Sequence, residues 1–233
     1  MADFILDTWC AWAPALDTRD DRLVETGEIS VSGSVPKLLH RRLSPLAKAV
    51  FRIAESCLGQ TKTLPVVFSS AHGEICKSLE MLKTIQAGEE ISPTAFSLSV
   101  HNAIAGLFSI AFNNSEEITV IAPCQEGIAA AFIEALGMLQ EGADEALILL
   151  YDEPIADFYP TAPYKLNTDY PCVAGLKISS KGEGTPYQLL QSSSARDDGE
   201  QPLQLLALIR FLLSDRHTLQ LGNQNRSWIW QKT

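Results

Sequence analysis

One stretch of the sequence, residues 118–153, limits the possible folds more than any other. An apolar segment, Ile118 to Ala122, leads into the short turn Pro123-Cys124-Gln125-Glu126-Gly127, and the residues to about Glu141 have the composition of a helix. A second apolar segment, Ala146 to Tyr151, follows. Strands that are joined through a helix are typically parallel in one sheet, with a right-handed crossover. The stretch therefore predicts an α/β fold in which the turn lies at the carboxyl edge of the sheet.

The flanking residues extend this pattern. Ser44 and Pro45 predict the start of a helix that Gly59 ends. The strand predicted from Thr63 to Ser70 is too continuously apolar for a sheet with one wet face. The further predicted elements are a strand at 4–9, helices at 72–87 and 103–112, strands at 173–179 and 187–190 that form a hairpin, a buried helix at 203–213, and an extended tail with Trp228 and Trp230 on one side.

Composition and charge exclude several classes of function. With 233 residues, of which 46% are apolar, the chain can bury a sizeable core. Its net charge of -10 argues against nucleic acid or an anionic membrane as a partner. No apolar run reaches the length of about 18 residues that a membrane span needs, and the N-terminus lacks the pattern of a signal peptide. We therefore expect a cytoplasmic protein.

The chain has neither a metal-binding nor a cofactor-binding motif. Its five cysteines are widely spaced and include no C-x-x-C pair, which predicts free thiols that mostly lie in the core. The histidine spacings of metal sites are also missing. The Gly182-Glu183-Gly184 segment stands between strands rather than before a helix, so it is not a dinucleotide fingerprint. No metal and no cofactor are expected.

The turn before the helix at about residue 128 has two interpretations. A thiol at a helix N-terminus has a lowered pKa, so Cys124 with His72 or His101 would suit an acyltransferase or a thioesterase. A cysteine in a strand-to-helix turn is, however, more often structural, and both histidines are equally typical of helix starts. Asp152 and Glu153, at the end of a strand, are as typical of a solvated loop as of a site.

Five segments carry a resemblance to a known family. In order they are Val67 to Glu74, Ser92 to Phe96, Ser99 to Gly106, the Pro123 to Gly127 turn, and Gly142 to Leu147. This order resembles the N-terminal half of the β-ketoacyl synthases of the thiolase fold. Together with Arg41-Arg42-Leu43-Ser44 and the Trp9/Trp12 start, it more narrowly resembles the chain-length-factor subunits found with aryl polyene biosynthesis.

The resemblance implies one β-ketoacyl synthase-like domain over residues 1–233. Its core would be the N-terminal half of a ketosynthase at about 1–190, with a truncated C-terminal part and a short extension at about 191–233. An active member has a cysteine in the turn and two histidines from its C-terminal half, in His-Gly-Thr and Gly-His patterns. His217 matches neither pattern.

The family register, counted back from Gly142, places Gln125 where the nucleophile stands, and a slip of one residue would place Cys124 there instead. A glutamine amide has no ionisable nucleophile. We therefore expect a degenerate nucleophile elbow at Cys124 and Gln125, with no catalytic residue.

The function implied is that of a non-catalytic, chain-length-factor-like subunit. It would form a heterodimer with an active β-ketoacyl-ACP synthase in polyene or fatty-acid-type biosynthesis, by pairing the strand at 117–122 with its counterpart. The acyl chain, carried on phosphopantetheine by an acyl carrier protein, would be presented to the partner, and bulky side chains of this subunit would limit its tunnel. The candidate tunnel or interface residues are Phe96, Leu98, Val100, Leu107, Phe108, Ile118 and Val120.

Two enzymatic alternatives stay open at this point. The first is a malonyl-ACP decarboxylase that uses Gln125, and it resembles the glutamine-bearing loading synthases. The second is the Cys124-dependent acyltransferase or thioesterase. Activity lost on Gln125→Ala would favour the first, and activity lost on Cys124→Ser the second.

Overall fold

The computed structural model describes residues 2–16, 19–24, 35–61, 63–123, 126–155, 168–194, 196–223 and 226–233. The strands are β1 (Ala2–Trp12), β2 (Val66–Ser69), β3 (Ile118–Ile121), β4 (Glu145–Asp152), β5 (Cys172–Ser179), β6 (Thr185–Ser192), β7 (Thr218–Asn223) and β8 (Arg226–Lys232). The helices are α1 (Lys37–His40), α2 (Pro45–Leu58), α3 (Ile75–Gln86), α4 (Pro93–Ser97), α5 (Ala103–Phe112), α6 (Ala129–Gln140) and α7 (Gln201–Leu212).

All of these strands form one mixed sheet in the order β3-β2-β4-β5-β1-β6-β8-β7. Strands β3, β2 and β4 are parallel, and β2 lies between the other two. Every pairing from β4 to β7 is antiparallel. The predicted α/β class and the parallel crossovers are therefore confirmed, and the turn after β3 lies at the carboxyl edge of the parallel strands.

The predicted hairpin between β5 and β6 is wrong. Both strands exist, but β1 lies between them, with Cys10 opposite Gly175 of β5 and Phe4 opposite Tyr187 of β6. Residues 180–184 cross over β1 and so span two strand spacings, about 10 Å. Strand β1 buries Phe4 and Leu6 and gains backbone partners on both sides. The sequence of a turn does not reveal whether a strand from a distant part of the chain lies between the two strands that the turn connects.

Helices cover both faces of the sheet. Helices α6 and α7 pack on one face, in a core that includes Ile148 and Leu176. Helices α2 and α5 pack on the other, around Phe68 and Leu149. The predicted start of α2 is confirmed, because Ser44 Oγ accepts a hydrogen bond from the Ala47 N–H at 2.9 Å.

The C-terminal residues continue the same sheet. Strand β8 pairs with β6 on one side and β7 on the other. Trp230 is 2% exposed, and both it and Trp228 pack on the face that α6 and α7 cover. Helix α7, which the sequence predicts to be buried, packs within this chain through side chains such as Leu205 and Leu208. The division into a core and an extension near residue 190 stays a prediction.

Candidate functional site

A buried group of polar side chains lies at the carboxyl edge of the parallel strands, where the sequence predicts chemistry. Strands β2 and β4 are parallel neighbours, so Ser69 and Ser70 at the end of one lie beside Asp152 at the end of the other. Helix α7 begins at this edge with Gln201. We call Ser69, Ser70, Asp152 and Gln201 the polar cluster, and none of them is more than 1% exposed.

The Asp152 carboxylate is surrounded by donors. Oδ1 accepts hydrogen bonds from Ser70 Oγ at 2.8 Å and from the His72 N–H at 3.1 Å. Oδ2 accepts from Gln201 Nε2 at 3.0 Å and from the Ala71 N–H at 3.2 Å. Two carboxylate oxygens have about four acceptor sites, so these donors fill the group. Asp152 therefore fixes the chain that leaves β2.

Two glutamines of α7 tie this helix to the same edge. Gln201 accepts a hydrogen bond from Ser69 Oγ at 2.6 Å and donates to the Ser69 carbonyl at 2.8 Å. One turn later, Gln204 Oε1 accepts from the Ile128 N–H at 3.2 Å. Gly127 has φ +54°, and a Cβ there would clash with the Gln204 amide. The first turn of α6, directly after the predicted elbow, is thus held by α7.

His101 is also engaged. Its Nε2 lies 2.8 Å from the carbonyl oxygen of Ser70. A carbonyl can only accept, so Nε2 is the donor in this contact. Gly73 (φ +57°) allows this approach, because a Cβ at that position would lie 2.9 Å from His101 Cδ2. The ring braces the loop after β2.

Burial shifts the pKa values of three carboxyl groups in this region. Burial is the main cause that raises the pKa of the Asp152 carboxyl, against which the Ser70 hydroxyl and the positive field of His72 act. Burial likewise raises the pKa of Glu200, just before α7, and His72 opposes that shift as well. A second carboxyl, Glu153, has its pKa raised chiefly by burial. The edge therefore concentrates acidic groups whose charge is costly.

Cys124 and Gln125, the predicted degenerate elbow, lie outside the described residues. The first described residue after them, Glu126, bonds to β8: its carboxylate forms an ion pair with Arg226 and accepts a hydrogen bond from Trp228 Nε1 at 2.7 Å. The C-terminal strand therefore anchors the turn that follows the elbow. Both enzymatic alternatives depend on Cys124 or Gln125 and stay untested.

The second feature of this part of the molecule is the β3 edge, which we define as Ile118–Ile121, the outermost strand at one end of the sheet. Among the described strands, β3 pairs only with β2. Val66 N–H donates to the Glu117 carbonyl at 2.9 Å and Ser70 N–H to the Ile121 carbonyl at 3.1 Å. Successive residues of a strand point their backbone groups to opposite sides, so Glu117, Thr119 and Ile121 face β2. The N–H and C=O groups of Ile118 and Val120 therefore face outward.

The remaining candidate tunnel residues divide into two groups. Phe108 (1% exposed) and Leu107 (9%) lie in the core of this chain, where Phe108 stacks on Phe112 with ring centroids 4.5 Å apart. Phe96 on α4 is 56% exposed, and Leu98 and Val100 are partly exposed. Leu98 lines a groove of about 440 Å³ along α3, with Met81, Ile91 and Ala95.

The polar cluster is not among the sites predicted from the sequence. Gln201 precedes the helix predicted at 203–213, and Asp152 has no sequence neighbour that signals its burial. The one usable signal was Ser69-Ser70 and Asp152 at the ends of two predicted parallel strands. No group of three or more potential metal ligands occurs within the described ranges. Nor does any helix there have the length and hydropathy to cross a membrane.

Comparison with known proteins places this geometry in a family. A ketosynthase in complex with its chain length factor from Xenorhabdus doucetiae superposes with a TM-score of 0.80 at 21% identity, covering 100% of both chains. The ishigamide ketosynthase/chain length factor gives 0.61 at 12% identity, over 85% of this chain and 69% of that one. A type II PKS acyl-carrier protein in complex with its ketosynthase gives 0.62 at 10%, over 100% and 99%.

At such identities these similarities show the fold, and they confirm the expected thiolase-like α/β architecture of ketosynthases. No curated protein matches the sequence. The family model for the β-ketoacyl synthase N-terminal domain matches residues 9–231, almost the whole chain. The chain therefore belongs to the β-ketoacyl synthase family, through its N-terminal domain.

Proposed function

We propose that this chain is a non-catalytic, chain-length-factor-like subunit that binds a ketosynthase through the β3 edge and helps to shape its acyl tunnel. The observation that carries the proposal is the β3 edge itself, which is apolar and has outward-facing backbone groups. Such an edge is a template for a strand of another chain. Family membership makes a second chain of the same fold the natural occupant.

Apolar side chains on the adjoining helices support a protein partner. Ile110 on α5, directly before β3 in the chain, is 68% exposed, and Ile133 on α6, directly after it, is 42% exposed. Ile118 and Val120 pack partly against the α5 face, and Ile121 against the α6 face. Large exposed apolar groups beside an open strand are typical of protein interfaces.

The polar cluster supports the absence of catalysis. A general base needs a free acceptor within reach of the substrate. The Asp152 oxygens are filled by four donors, so this buried carboxylate offers no free acceptor. In this proposal the partner supplies the nucleophile and the histidines, and it also docks the acidic carrier protein, because this chain has a net charge of -10.

The exposed members of the candidate tunnel set would determine chain length. Phe96 is exposed on α4, and Leu98, directly after this helix, lines the groove along α3. Filling a tunnel end with a bulky side chain excludes longer acyl chains by steric overlap. Phe96→Ala in the complex is expected to shift products to longer chains, whereas Phe108→Leu, a core change, leaves the product length unaltered.

The test is co-expression with the ketosynthase encoded beside this chain, followed by purification through a tag on this chain. We expect a complex of one copy of each chain, which the double variant Ile110→Glu/Ile133→Glu disrupts. Leu38→Glu is the matched control, because Leu38 is 78% exposed but lies on the separate helix α1. A stable monomer that never retains the ketosynthase, with unchanged products, would exclude the proposal.

A further inference from the structure

Two cysteine thiols touch inside the core, away from the polar cluster and the β3 edge. Cys10 on β1 and Cys57 on α2 have their Sγ atoms 3.2 Å apart. Cys10 also donates a hydrogen bond to the Ile53 carbonyl, with a distance of 3.3 Å. Both cysteines are unbridged, and they are 8% and 2% exposed. The contact is closer than ordinary packing between thiols and joins a strand to the helix above it.

A glycine makes room for this contact. Gly175 of β5 lies directly opposite Cys10 in the antiparallel pair. A Cβ at position 175 would lie 2.8 Å from Cys57 Sγ and 2.8 Å from Ile53 Cγ2, closer than carbon side chains tolerate. Only glycine therefore lets α2 approach the sheet until the two sulfur atoms meet. The pair is built by three elements together and is not a lone cysteine.

The two thiols have unequal acidities. The hydrogen bond from Cys57 is the main cause that lowers the pKa of Cys10, and the nearby Arg52 charge acts in the same direction. The same contact, together with burial, raises the pKa of Cys57. A thiolate is the reactive form of cysteine. Cys10 therefore has the character of an attacking sulfur, and Cys57 that of a thiol that resolves its oxidised form.

We propose that Cys10 and Cys57 are an oxidisable pair, a modification site that takes a hydroperoxide and closes into an intramolecular disulfide between β1 and α2. The Cys10 thiolate attacks one peroxide oxygen, the O–O bond breaks, and the leaving hydroxide takes up a proton to become water. This step gives a sulfenic acid on Cys10.

The Cys57 sulfur, losing its proton, then attacks the Cys10 sulfur, and the S–O bond breaks with release of a second water. In total two thiols are oxidised and one hydrogen peroxide is reduced to two water molecules. The sulfur atoms must close from 3.2 Å to a bonded distance of about 2.05 Å. This movement is small, and it leaves the β3 edge untouched, so the inference is independent of the proposed function.

The experiment treats the full-length, reduced protein with hydrogen peroxide, blocks remaining thiols, and maps tryptic peptides without reduction. The expected product is a peptide pair joined through Cys10 and Cys57, with a mass lower by about 2 Da for two lost hydrogen atoms, which dithiothreitol restores. The midpoint of thermal unfolding should rise by roughly 5 °C or more, because the cross-link restricts the unfolded chain.

The variants Cys10→Ala and Cys57→Ala should lose this peptide pair, while Cys76→Ala, which removes a partly exposed thiol elsewhere, should retain it. If a variant fails to fold, the peptide map of the unmutated chain still decides. A Cys10 found as sulfinic acid without a link to Cys57, or both thiols recovered unreacted after prolonged treatment of the folded protein, would overturn the inference.

Discussion

The polar cluster and the β3 edge lie on neighbouring strands yet differ in almost every respect. In the cluster each polar atom of Asp152 and Gln201 is buried and paired. At the edge the backbone groups of Ile118 and Val120 face outward and the adjoining helices expose isoleucines. The polar groups of the first region are paired within the chain, whereas the second region is an open strand edge, to which our proposal assigns a partner chain. In this chain the carboxyl edge is thus fixed by buried hydrogen bonds, while the sheet edge stays open.

The largest expected effect comes from breaking the polar cluster. Asp152→Ala leaves a hydroxyl, two backbone N–H groups and a glutamine amide without their acceptor, so we expect the free energy of unfolding to fall by about 3–4 kcal/mol. Urea denaturation measures this loss. Asp144→Ala, at an exposed position just before β4, is the control and should change stability by less than about 0.5 kcal/mol. Equal effects would show that the cluster does not hold the edge together.

The next effect tests the edge. Val120→Pro removes an N–H that faces outward, so the complex with a ketosynthase should weaken by about 2–3 kcal/mol, roughly 30- to 150-fold in Kd. The stability of the isolated chain should change little, because proline is tolerated on an edge strand. Thr119→Pro removes an N–H directed at β2 and should instead destabilise the chain itself. Binding can be followed by titration calorimetry and stability by urea denaturation.

If Val120→Pro bound the partner normally while the chain stayed folded, pairing through this edge would be wrong. Val120→Ala keeps the N–H and separates the contribution of the backbone from that of the side chain. This control should bind within about 15-fold of the unmutated chain, since only two methyl groups are removed, worth about 1.6 kcal/mol at full burial.

A smaller effect concerns the contact between α6 and α7. Gly127→Ala introduces both a left-handed alanine and a clash with the Gln204 amide. Gly88→Ala introduces an alanine at φ +75° with open space around it. We expect Gly127→Ala to cost about 1–2 kcal/mol more than Gly88→Ala. Thermal unfolding of the two variants measures the difference. Equal losses of stability would mean that the Gln204 side chain moves aside without a cost in free energy.

The smallest effect is a pH dependence of the free energy of unfolding, which we expect from Asp152 in the polar cluster. Because burial raises the pKa of Asp152 above its ordinary value of 3.8, the folded state binds the proton more tightly than the unfolded state. The stabilisation from this group is thus complete below pH 3.8 and is lost as pH rises through the folded-state pKa. Relative to Asp152→Asn, the unmutated chain should lose stability on going upward from about pH 4. A stability difference that instead grows with pH would show that the pKa of Asp152 is lowered in the folded state and not raised.

Local chemistry made part of this structure predictable. Helix α5 falls at its predicted residues 103–112, and Ser44 marks the start of α2 as predicted. The apolar runs of β2 and β4 predicted the parallel strands of the sheet. Each of these signals lies within a few residues of the element it specifies. The chain's family was likewise readable from short segments in a fixed order.

The rest depends on contacts between distant residues. Gln201 is hydrogen-bonded to Ser69, which lies 132 residues earlier in the sequence. Nothing in the sequence around either residue indicates that the other is its partner. Asp152 resembles a loop residue until its four donors are seen. Predictions for Cys124 and Gln125 fall outside the described residues, so the nature of the elbow is still a sequence-based expectation.

The insertion of β1 between β5 and β6 has a consequence for biosynthesis. A ribosome makes β1 before β5 and β6, its two neighbours in the sheet, which come from residues beyond 171. Until they emerge, a strand that carries Phe4, Leu6 and Trp9 has no place to pair. Such non-local pairing slows folding and exposes apolar segments to aggregation. We expect the newly made β1 segment to be a substrate for chaperones that shield nascent chains.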